Sequence, residues 1–447
     1  MLALNKLIYR LLLICIGSLA GCQPQERPIN QTNNTTPSVR IQKNGDGYQL
    51  YRNGKPFFIK GAGGYTFYDR LREMGGNSVR VWDTSAGERV LNQAHEQGLS
   101  VMMGIWLMRE KEGFNFFDKE AVEQLKLQVR EEVLRYRHHP ALLMWCIGNE
   151  MELGLANVKG WRVLNEIAAM IHELDPNHPT TTAMISIEPQ KIRLVKNLCP
   201  HIDVLSFNKY AGLMTLADDI QNAGWDGPFI ISEYGQPGYW ETWFTDWGMP
   251  IELSSSQKAQ QIRSRYKAGI LAHTSRCLGS YAFYWGQKQE CTPTWFSIFT
   301  ETGEKTAVAD MLQYLWSRRW PANRAPHLAS IQLQTLGRTT INRLQPGTTY
   351  SAQVKVQDPE GDSLRYHWEV LPESNWHTLD GSIDKEVKPT PVSNVLAVNN
   401  TPLVQLTSPL KPGPYRLFAY VYDGKGSVAT ANIAFLVEAD AHPVSAL

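Results

Sequence analysis

The chain is organised around residues 144–150, which read MWCIGNE. A mostly apolar run leads into a glycine, and an amide and a carboxylate, Asn149 and Glu150, follow directly. A buried parallel strand reads as a near-continuous apolar run, and an α/β barrel carries its reactive side chains at the carboxyl ends of such strands. This stretch therefore predicts a barrel strand that presents Glu150 at its end.

A second stretch of the same kind, FIISEYG, occupies residues 229–235 and contains Glu233. Two carboxylates delivered by two separate buried strands are the groups that glycoside hydrolysis uses as acid and nucleophile. Taken alone, either glutamate could simply cap a strand or open the next helix, since a short motif is only a hypothesis. The two together, in this order, favour the catalytic interpretation.

Apolar stretches alternate with helical patterns along most of the chain. The predicted strands are residues 57–61, 77–82, 99–107, 141–145, 180–185, 202–207, 229–232 and 279–285. Eight such repeats predict an α/β fold, a (β/α)8 TIM barrel over residues 39–320, entered through a small hairpin at residues 39–51. A doubly wound open sheet would want a glycine-rich phosphate turn after its first strand, and GAGG at residues 61–64 is only a weak version of one.

The helical pattern stops at a proline-containing boundary, residues 321–327. Short alternating strands separated by turns then occupy residues 328–438, which predicts a C-terminal all-β, Ig-like or fibronectin-like sandwich. The turn DPEGD at residues 358–362 resembles those of PKD-like and cadherin-like modules, some of which hold calcium, but a plain solvated turn is the simpler interpretation. The boundary predicts few contacts between barrel and sandwich, so we expect the sandwich to be dispensable for chemistry.

The N-terminus predicts export. Residues 1–21 form a signal peptide in which basic residues precede an apolar segment, 11–19, that is too short to span a bilayer. The sequence LAGC at residues 19–22 resembles the bacterial lipoprotein cleavage box, with lipid on Cys22; an ordinary secretory peptide is the alternative. Residues 22–38 look like a flexible tether. We expect a lipid-anchored protein of the bacterial cell envelope, in the outer membrane if the cell is Gram-negative.

The composition limits the classes of binding partner that we expect. The formal net charge of +1 gives no reason to expect nucleic acid or an anionic membrane surface. The chain is instead rich in aromatic residues, with 14 Trp and 18 Tyr, whose rings stack on sugars as readily as they fill cores. The spacing of Cys146, Cys199, Cys277 and Cys291 fits neither a zinc cluster nor a dense disulfide framework, so no metal or cofactor is predicted. The oligomeric state stays open.

The two carboxylate stretches, with RHHP at residues 137–140 ahead of the first, resemble the catalytic barrel of glycoside hydrolase family 2. More broadly they resemble the clan of retaining glycosidases that carry acid/base and nucleophile on strands four and seven. The resemblance covers about residues 39–320. It implies that Glu150 is the general acid/base and that Glu233 is the nucleophile.

The same resemblance implies supporting roles for four further residues. Asn149 would hold the sugar hydroxyl beside the anomeric carbon, and Tyr210 would hydrogen-bond the nucleophile. Arg80 would help to keep Glu233 ionised, and Trp285 would form the floor of the subsite. Each of the last three has a structural alternative, Arg80 as an ion pair and the two aromatic residues as core side chains.

The chain also departs from the family. Family members usually carry β-sandwich domains ahead of the barrel, whereas here only a short entry segment precedes it, so the substrates of galactosidases or glucuronidases do not transfer. The loop at residues 239–247, YWETWFTDW, is unusually aromatic. Trp240 and Trp243 are predicted to stack on sugars, with a hydrophobic plug as the alternative, and Trp106 and Trp295 are candidates for the same cleft.

These observations predict a retaining glycoside hydrolase that acts on a β-linked oligo- or polysaccharide by double displacement. Its two carboxyl groups should lie about 5–5.5 Å apart, rather than the 6.5–9.5 Å of inverting enzymes. The alternatives are a transglycosylase that remodels a cell-envelope glucan and a catalytically inactive glycan-binding lipoprotein. The sugar, the linkage and the choice between exo and endo action stay open.

Overall fold

The structure, a computed structural model, describes residues 38–153, 158–335, 338–339, 342–374, 386–397 and 400–438. It begins with a three-stranded antiparallel entry sheet made of β1 (Val39–Asn44), β2 (Gly47–Arg52) and β3 (Lys55–Phe57). Val39 and Leu50 of this sheet are buried in one cluster with residues at the starts of the barrel strands. The entry sheet therefore closes the barrel at the end opposite the carboxyl termini of its strands.

Eight parallel strands close into a barrel, which confirms the predicted TIM barrel. They are β4 (Ile59–Gly63), β5 (Ser78–Val81), β6 (Ser100–Ile105), β7 (Leu142–Asn149), β8 (Thr180–Met184), β9 (Val204–Asn208), β10 (Phe229–Tyr234) and β11 (Cys277–Ala282). β11 pairs with β4 and completes the ring. Because both faces of these strands are covered, nearly every residue in them is buried and the sequence reads as apolar runs.

Helices surround the barrel. They are α1 (Tyr68–Glu73), α2 (Gly87–Glu96), α3 (Lys119–Tyr136), α4 (Lys159–Leu174), α5 (Pro189–Leu198), α6 (Leu216–Asn222), α7 (Ser255–Arg265) and α8 (Ala307–Ser317). Two of them begin at side-chain caps: Asp118 accepts from the first turn of α3, and Ser254 accepts from the backbone of Gln257 in α7. These caps satisfy backbone N–H groups that have no partner within the helix.

The C-terminal region is an all-β sandwich, as predicted. Its strands are β12 (His327–Thr335), β13 (Arg338–Thr339), β14 (Arg343–Leu344), β15 (Thr349–Gln357), β16 (Arg365–Pro372), β17 (Leu403–Thr407), β18 (Gly413–Tyr422) and β19 (Val428–Val437). They form two four-stranded sheets, ordered β13-β12-β15-β17 and β14-β19-β18-β16. Alternate residues of both sheets, among them Leu328, Trp368 and Phe435, meet in a separate core.

The predicted scarcity of contacts between barrel and sandwich is wrong. Arg416 of β18 is 1% exposed and donates to Oδ1 of Asn432 and to the carbonyl of Pro250, each at 2.8 Å. Asn432 in turn donates to Glu252 at 2.6 Å, and Glu252 pairs with Lys258 at 2.6 Å. Since buried ions need their partners, this network fixes the two regions against each other. The network could not be predicted from the sequence, because an isolated charged residue is normally expected at the protein surface.

The predicted N-terminal export and lipidation signals lie outside the described residues, because these begin at residue 38. That applies to the signal peptide, to Cys22 and to almost all of the tether. Within the described part of the chain, no helix is long and apolar enough to cross a membrane. The same part contains no group of three or more His, Cys, Asp or Glu residues that could hold a metal ion.

Candidate active site

Glu233 lies near the end of β10, where its carboxylate is almost fully buried and held by three donors. The guanidinium of Arg80 forms an ion pair with Oε1, and the indole Nε1 of Trp82 donates to the same oxygen at 2.8 Å. The hydroxyl of Tyr210 donates to Oε2 at 2.8 Å. These three hydrogen bonds hold both oxygens of the carboxylate in one orientation, as attack by a nucleophile requires.

Arg80, on β5, connects this carboxylate to the neighbouring groups. Its side chain is 1% exposed and also donates to the carbonyl of Ser232 at 3.1 Å and to Oδ1 of Asn149 at 2.7 Å. Burial alone would lower the pKa of Arg80, but the charge and hydrogen bond of Glu233 together with the nearby Cys146 and Tyr210 outweigh it, and the pKa is raised. The predicted supporting role of Arg80 therefore has a geometric basis in this structure.

Glu150 follows β7 directly and adopts a left-handed backbone conformation, with φ of 53°. Such a conformation is uncommon outside glycine, costs on the order of 1–3 kcal/mol and is concentrated at functional sites. The backbone N–H of Glu150 donates to the carbonyl of Ala183 at 2.8 Å, and its Oε1 accepts from Nδ2 of Asn208 at 2.7 Å. Burial, followed by the nearby charge of Glu233, raises the pKa of Glu150 to about 7.

Asn149 and Asn208 join the two glutamates. Oδ1 of Asn149 accepts from both Arg80 and Asn208, so its amide nitrogen is the group that it can offer to a sugar hydroxyl in the cleft. Oδ1 of Asn208 accepts from the hydroxyl of Ser232 at 2.8 Å, which fixes the amide orientation. The sequence motifs do not single out Asn208 or Trp82, although each lies at the carboxyl end of a barrel strand, where functional side chains are expected.

The two glutamates open into a cleft of about 1200 Å³ with an aromatic rim. Trp240 lines it and is 51% exposed, and Trp106 lines it with 37% exposed. Trp243, predicted to stack on sugars, is 84% exposed and does not line the cleft. Trp295 is buried behind the rim, where its indole N–H donates to the carbonyl of Pro237 at 3.1 Å.

The prediction that Trp285 forms the floor of the subsite is wrong. Its ring is 1% exposed, packs against Phe299 and Trp316, and donates its N–H to the carbonyl of Phe67. The preceding residue, Tyr284, lines the cleft instead and stacks on Trp82, with ring centroids 6.0 Å apart. β11 ends at Ala282, and both Phe283 and Tyr284 line the cleft, so the predicted strand, which ran to residue 285, does not set the side to which Trp285 points.

A residue from the C-terminal region also lines the cleft. Glu386 follows β16 and accepts from Nε2 of Gln289 at 3.0 Å and from the backbone N–H of Cys291 at 2.8 Å. The sequence predicts no contribution of the sandwich to the site. No local signal could have identified Glu386, because its position depends on how two distant regions of the chain dock.

Comparisons with known proteins agree with this geometry. Residues 68–239, which include both glutamates, match the family model described as glycosyl hydrolases family 2, TIM barrel domain. The chain is 26% identical over 243 residues to the β-glucuronidase of Streptococcus agalactiae, covering 44% of this chain and 39% of the relative. It is 26% identical over 220 residues to the β-glucuronidase of Homo sapiens, covering 42% and 32%.

The chain thus spans less than half the length of these curated relatives. Among solved structures, the β-glucuronidase from Ruminococcus gnavus in complex with D-glucuronic acid aligns with a TM-score of 0.50 and 16% identity. That alignment covers 63% of this chain and 52% of the other, and at this identity it speaks for the fold alone. Residues 68–239 of this barrel are thus similar to the TIM barrel domain of glycosyl hydrolases family 2.

Proposed function

We propose that this protein is a retaining glycoside hydrolase that cleaves a β-linked glycan by double displacement. One observation carries the proposal: two glutamates at the ends of β7 and β10 share one hydrogen-bonded network but have opposite surroundings. Glu233 is held by a cation and two further donors, whereas Glu150 is buried and its pKa is raised to about 7. Opposed environments of this kind separate a nucleophile from a general acid.

In the first step, a carboxylate oxygen of Glu233 attacks the anomeric carbon and forms a glycosyl ester. The bond to the leaving oxygen breaks, and that oxygen takes the proton of Glu150. The hydroxyl of Tyr210 and the indole of Trp82 hold the attacking carboxylate in position. Asn149 offers its amide nitrogen to the hydroxyl beside the anomeric carbon.

In the second step, Glu150 acts as a base, takes a proton from water, and the resulting nucleophile displaces Glu233 from the anomeric carbon. The change of role follows from electrostatics. Once Glu233 is esterified it carries no charge, so one of the two main causes that raise the pKa of Glu150 is removed and its carboxylate form becomes easier to reach. Two inversions at one carbon leave the anomeric configuration unchanged.

Proton NMR of the first-formed sugar tests this mechanism. A β-linked aryl glycoside should release the β-anomer, which then mutarotates. Initial release of the α-anomer would contradict double displacement, even if both glutamates proved essential. The Glu233→Gln variant, measured in parallel, shows that the observed sugar comes from this site and not from a contaminating hydrolase.

Transglycosylation is the second candidate. The cleft has room beyond a single sugar, and its rim exposes Trp106 and Trp240, on which an acceptor could stack. Incubation with an oligosaccharide acceptor, followed by mass spectrometry, separates the two reactions: products longer than the acceptor identify a transglycosylase, and free reducing sugar identifies a hydrolase. An inactive glycan-binding protein would yield neither.

We further propose that the protein is exported and held at a bacterial membrane by lipid on Cys22. Support comes from the basic region, the short apolar segment and the LAGC box of residues 19–22. Cys22→Ser, compared with the wild type by membrane fractionation, should leave the membrane fraction or accumulate as unprocessed precursor. Undiminished membrane association of the mature variant would contradict the lipid anchor.

A further inference from the structure

The loop after β11 places a third carboxylate, Glu290, in the wall of the cleft. Its backbone pairs with Thr292 in both directions, at 3.2 and 2.7 Å, so its position is fixed. Its side chain is 21% exposed and lies 3.4 Å from Nζ of Lys288. The proposed mechanism does not use this residue.

Glu290 faces the same space as the nucleophile. Burial raises its pKa to about 7, Lys288 opposes this, and the charges of Glu233 and Glu386 add to it. The charge of Glu290 also contributes to the raised pKa of Tyr210, the residue that donates to Glu233. Glu290, Tyr210 and Glu233 line the same cleft, so Glu290 belongs to the wall of the space in which the sugar reacts.

Glu386 extends this wall from the C-terminal region. Gln289 and the backbone of Cys291 hold its carboxylate beside the loop that carries Glu290. The described lining of the cleft contains seven carboxylates and four cationic side chains. Among those cations, Lys288 already faces Glu290, and Arg109 is paired with Glu112. A sugar that brings its own carboxylate would therefore add negative charge to an acidic wall.

We propose that the wall formed by Glu290 and Glu386 determines substrate specificity: it admits a sugar without a carboxylate and rejects a uronic acid at the reacting subsite. This inference rests on the proposed glycosidase function and names its substrate class. A sugar hydroxyl can hydrogen-bond Glu290 in either protonation state, whereas a uronate carboxylate can do so only when Glu290 is protonated. The chain would then differ in specificity from the relatives named β-glucuronidase.

A matched pair of inhibitors tests the proposal without requiring turnover. Isofagomine and uronic isofagomine differ by a carboxylate in place of a hydroxymethyl group, and calorimetry gives both dissociation constants at pH 7.5. We expect isofagomine to bind at least about tenfold more tightly, and Glu290→Gln to reduce that ratio about tenfold, the effect of one removed like-charge contact. Glu386→Gln should reduce it less, and thermal melting confirms that each variant is folded.

Lys209 provides the opposing control because it lines the cleft and is a cation that could instead receive the carboxylate of a uronate. Lys209→Met should leave the inhibitor ratio unchanged. Tighter binding of uronic isofagomine, lost in Lys209→Met, would overturn the inference. If the enzyme also cleaves an aryl β-glucuronide faster than aryl β-glucosides, β-galactosides and β-mannosides, the inference fails while the proposed function stands. Absence of both binding and cleavage would remove the proposed function, and the inference with it.

Discussion

The ends of β7 and β10 present the same side chain in two different settings. At the end of β10, Glu233 accepts from a guanidinium, an indole and a phenol. At the end of β7, Glu150 accepts from one amide, that of Asn208, and its backbone is left-handed. The donors around a carboxylate therefore determine what it can do, and the strand that carries it only determines where it lies.

The largest effect is expected when the carboxylate of Glu233, which has the three donors, is removed. Glu233→Gln should reduce kcat on an aryl glycoside by a factor on the order of 10⁵, because covalent catalysis depends on this atom. The fold should persist, which thermal melting checks. Residual activity above about one per cent would contradict the nucleophile assignment.

Removing the other carboxylate should have a smaller and more conditional effect. Glu150→Gln should lower kcat/KM by about 10²–10⁴ for a glycoside with a poor leaving group, since that oxygen needs a proton. For a dinitrophenyl glycoside, whose leaving group needs no proton, kcat/KM of the variant should fall much less. Azide should then accelerate turnover and form a glycosyl azide, because it attacks the glycosyl ester without a general base. Equal losses on both substrates would exclude Glu150 as the acid.

The contrast can be sharpened by removing one donor. Tyr210→Phe deletes the hydroxyl that donates to Oε2 of Glu233 and leaves the ring, which packs against Phe283 and Phe296. A hydrogen bond to a charged group contributes about 1.5–3 kcal/mol, so kcat/KM should fall by roughly 10–100-fold. Phe296→Leu is the control, because it disturbs the packing against the ring of Tyr210 and leaves the hydroxyl in place. Its kcat/KM should fall less than that of Tyr210→Phe.

The smallest effect is a change of pH. Glu150 must be protonated to act as acid, and its pKa is about 7, so kcat/KM should fall about tenfold per pH unit above that value. Glu290 has a pKa in the same range and could imitate this behaviour. Glu290→Gln should keep the alkaline decline, and Glu150→Gln should lose it. A decline that disappears with Glu290 instead would reassign it.

The sequence predicted those features of the fold and the site that depend on a short stretch of neighbouring residues. Apolar runs located the strands, and the rule that function lies at their carboxyl ends pointed to Glu150 and Glu233. The family resemblance added Arg80, which pairs with Glu233. The same rule would have found Asn208 had it been applied to β9. It could not separate Tyr284 from Trp285, because both follow the end of β11 at Ala282, where strand alternation no longer sets which side chain faces the cleft. Glu386 required knowledge of the docked sandwich.

The buried charge network between barrel and sandwich has a consequence for thermal denaturation. If the sandwich melted first, Glu252 would lose the hydrogen bond from Asn432, and the carbonyl of Pro250 would lose the one from Arg416. A buried acceptor that loses its donor costs about 1–3 kcal/mol, so the two together are a sizeable share of the roughly 5–15 kcal/mol by which a domain is stable. Calorimetry should therefore record one heat-absorption peak for both regions, and a protease cut within residues 321–327 should leave the two fragments associated.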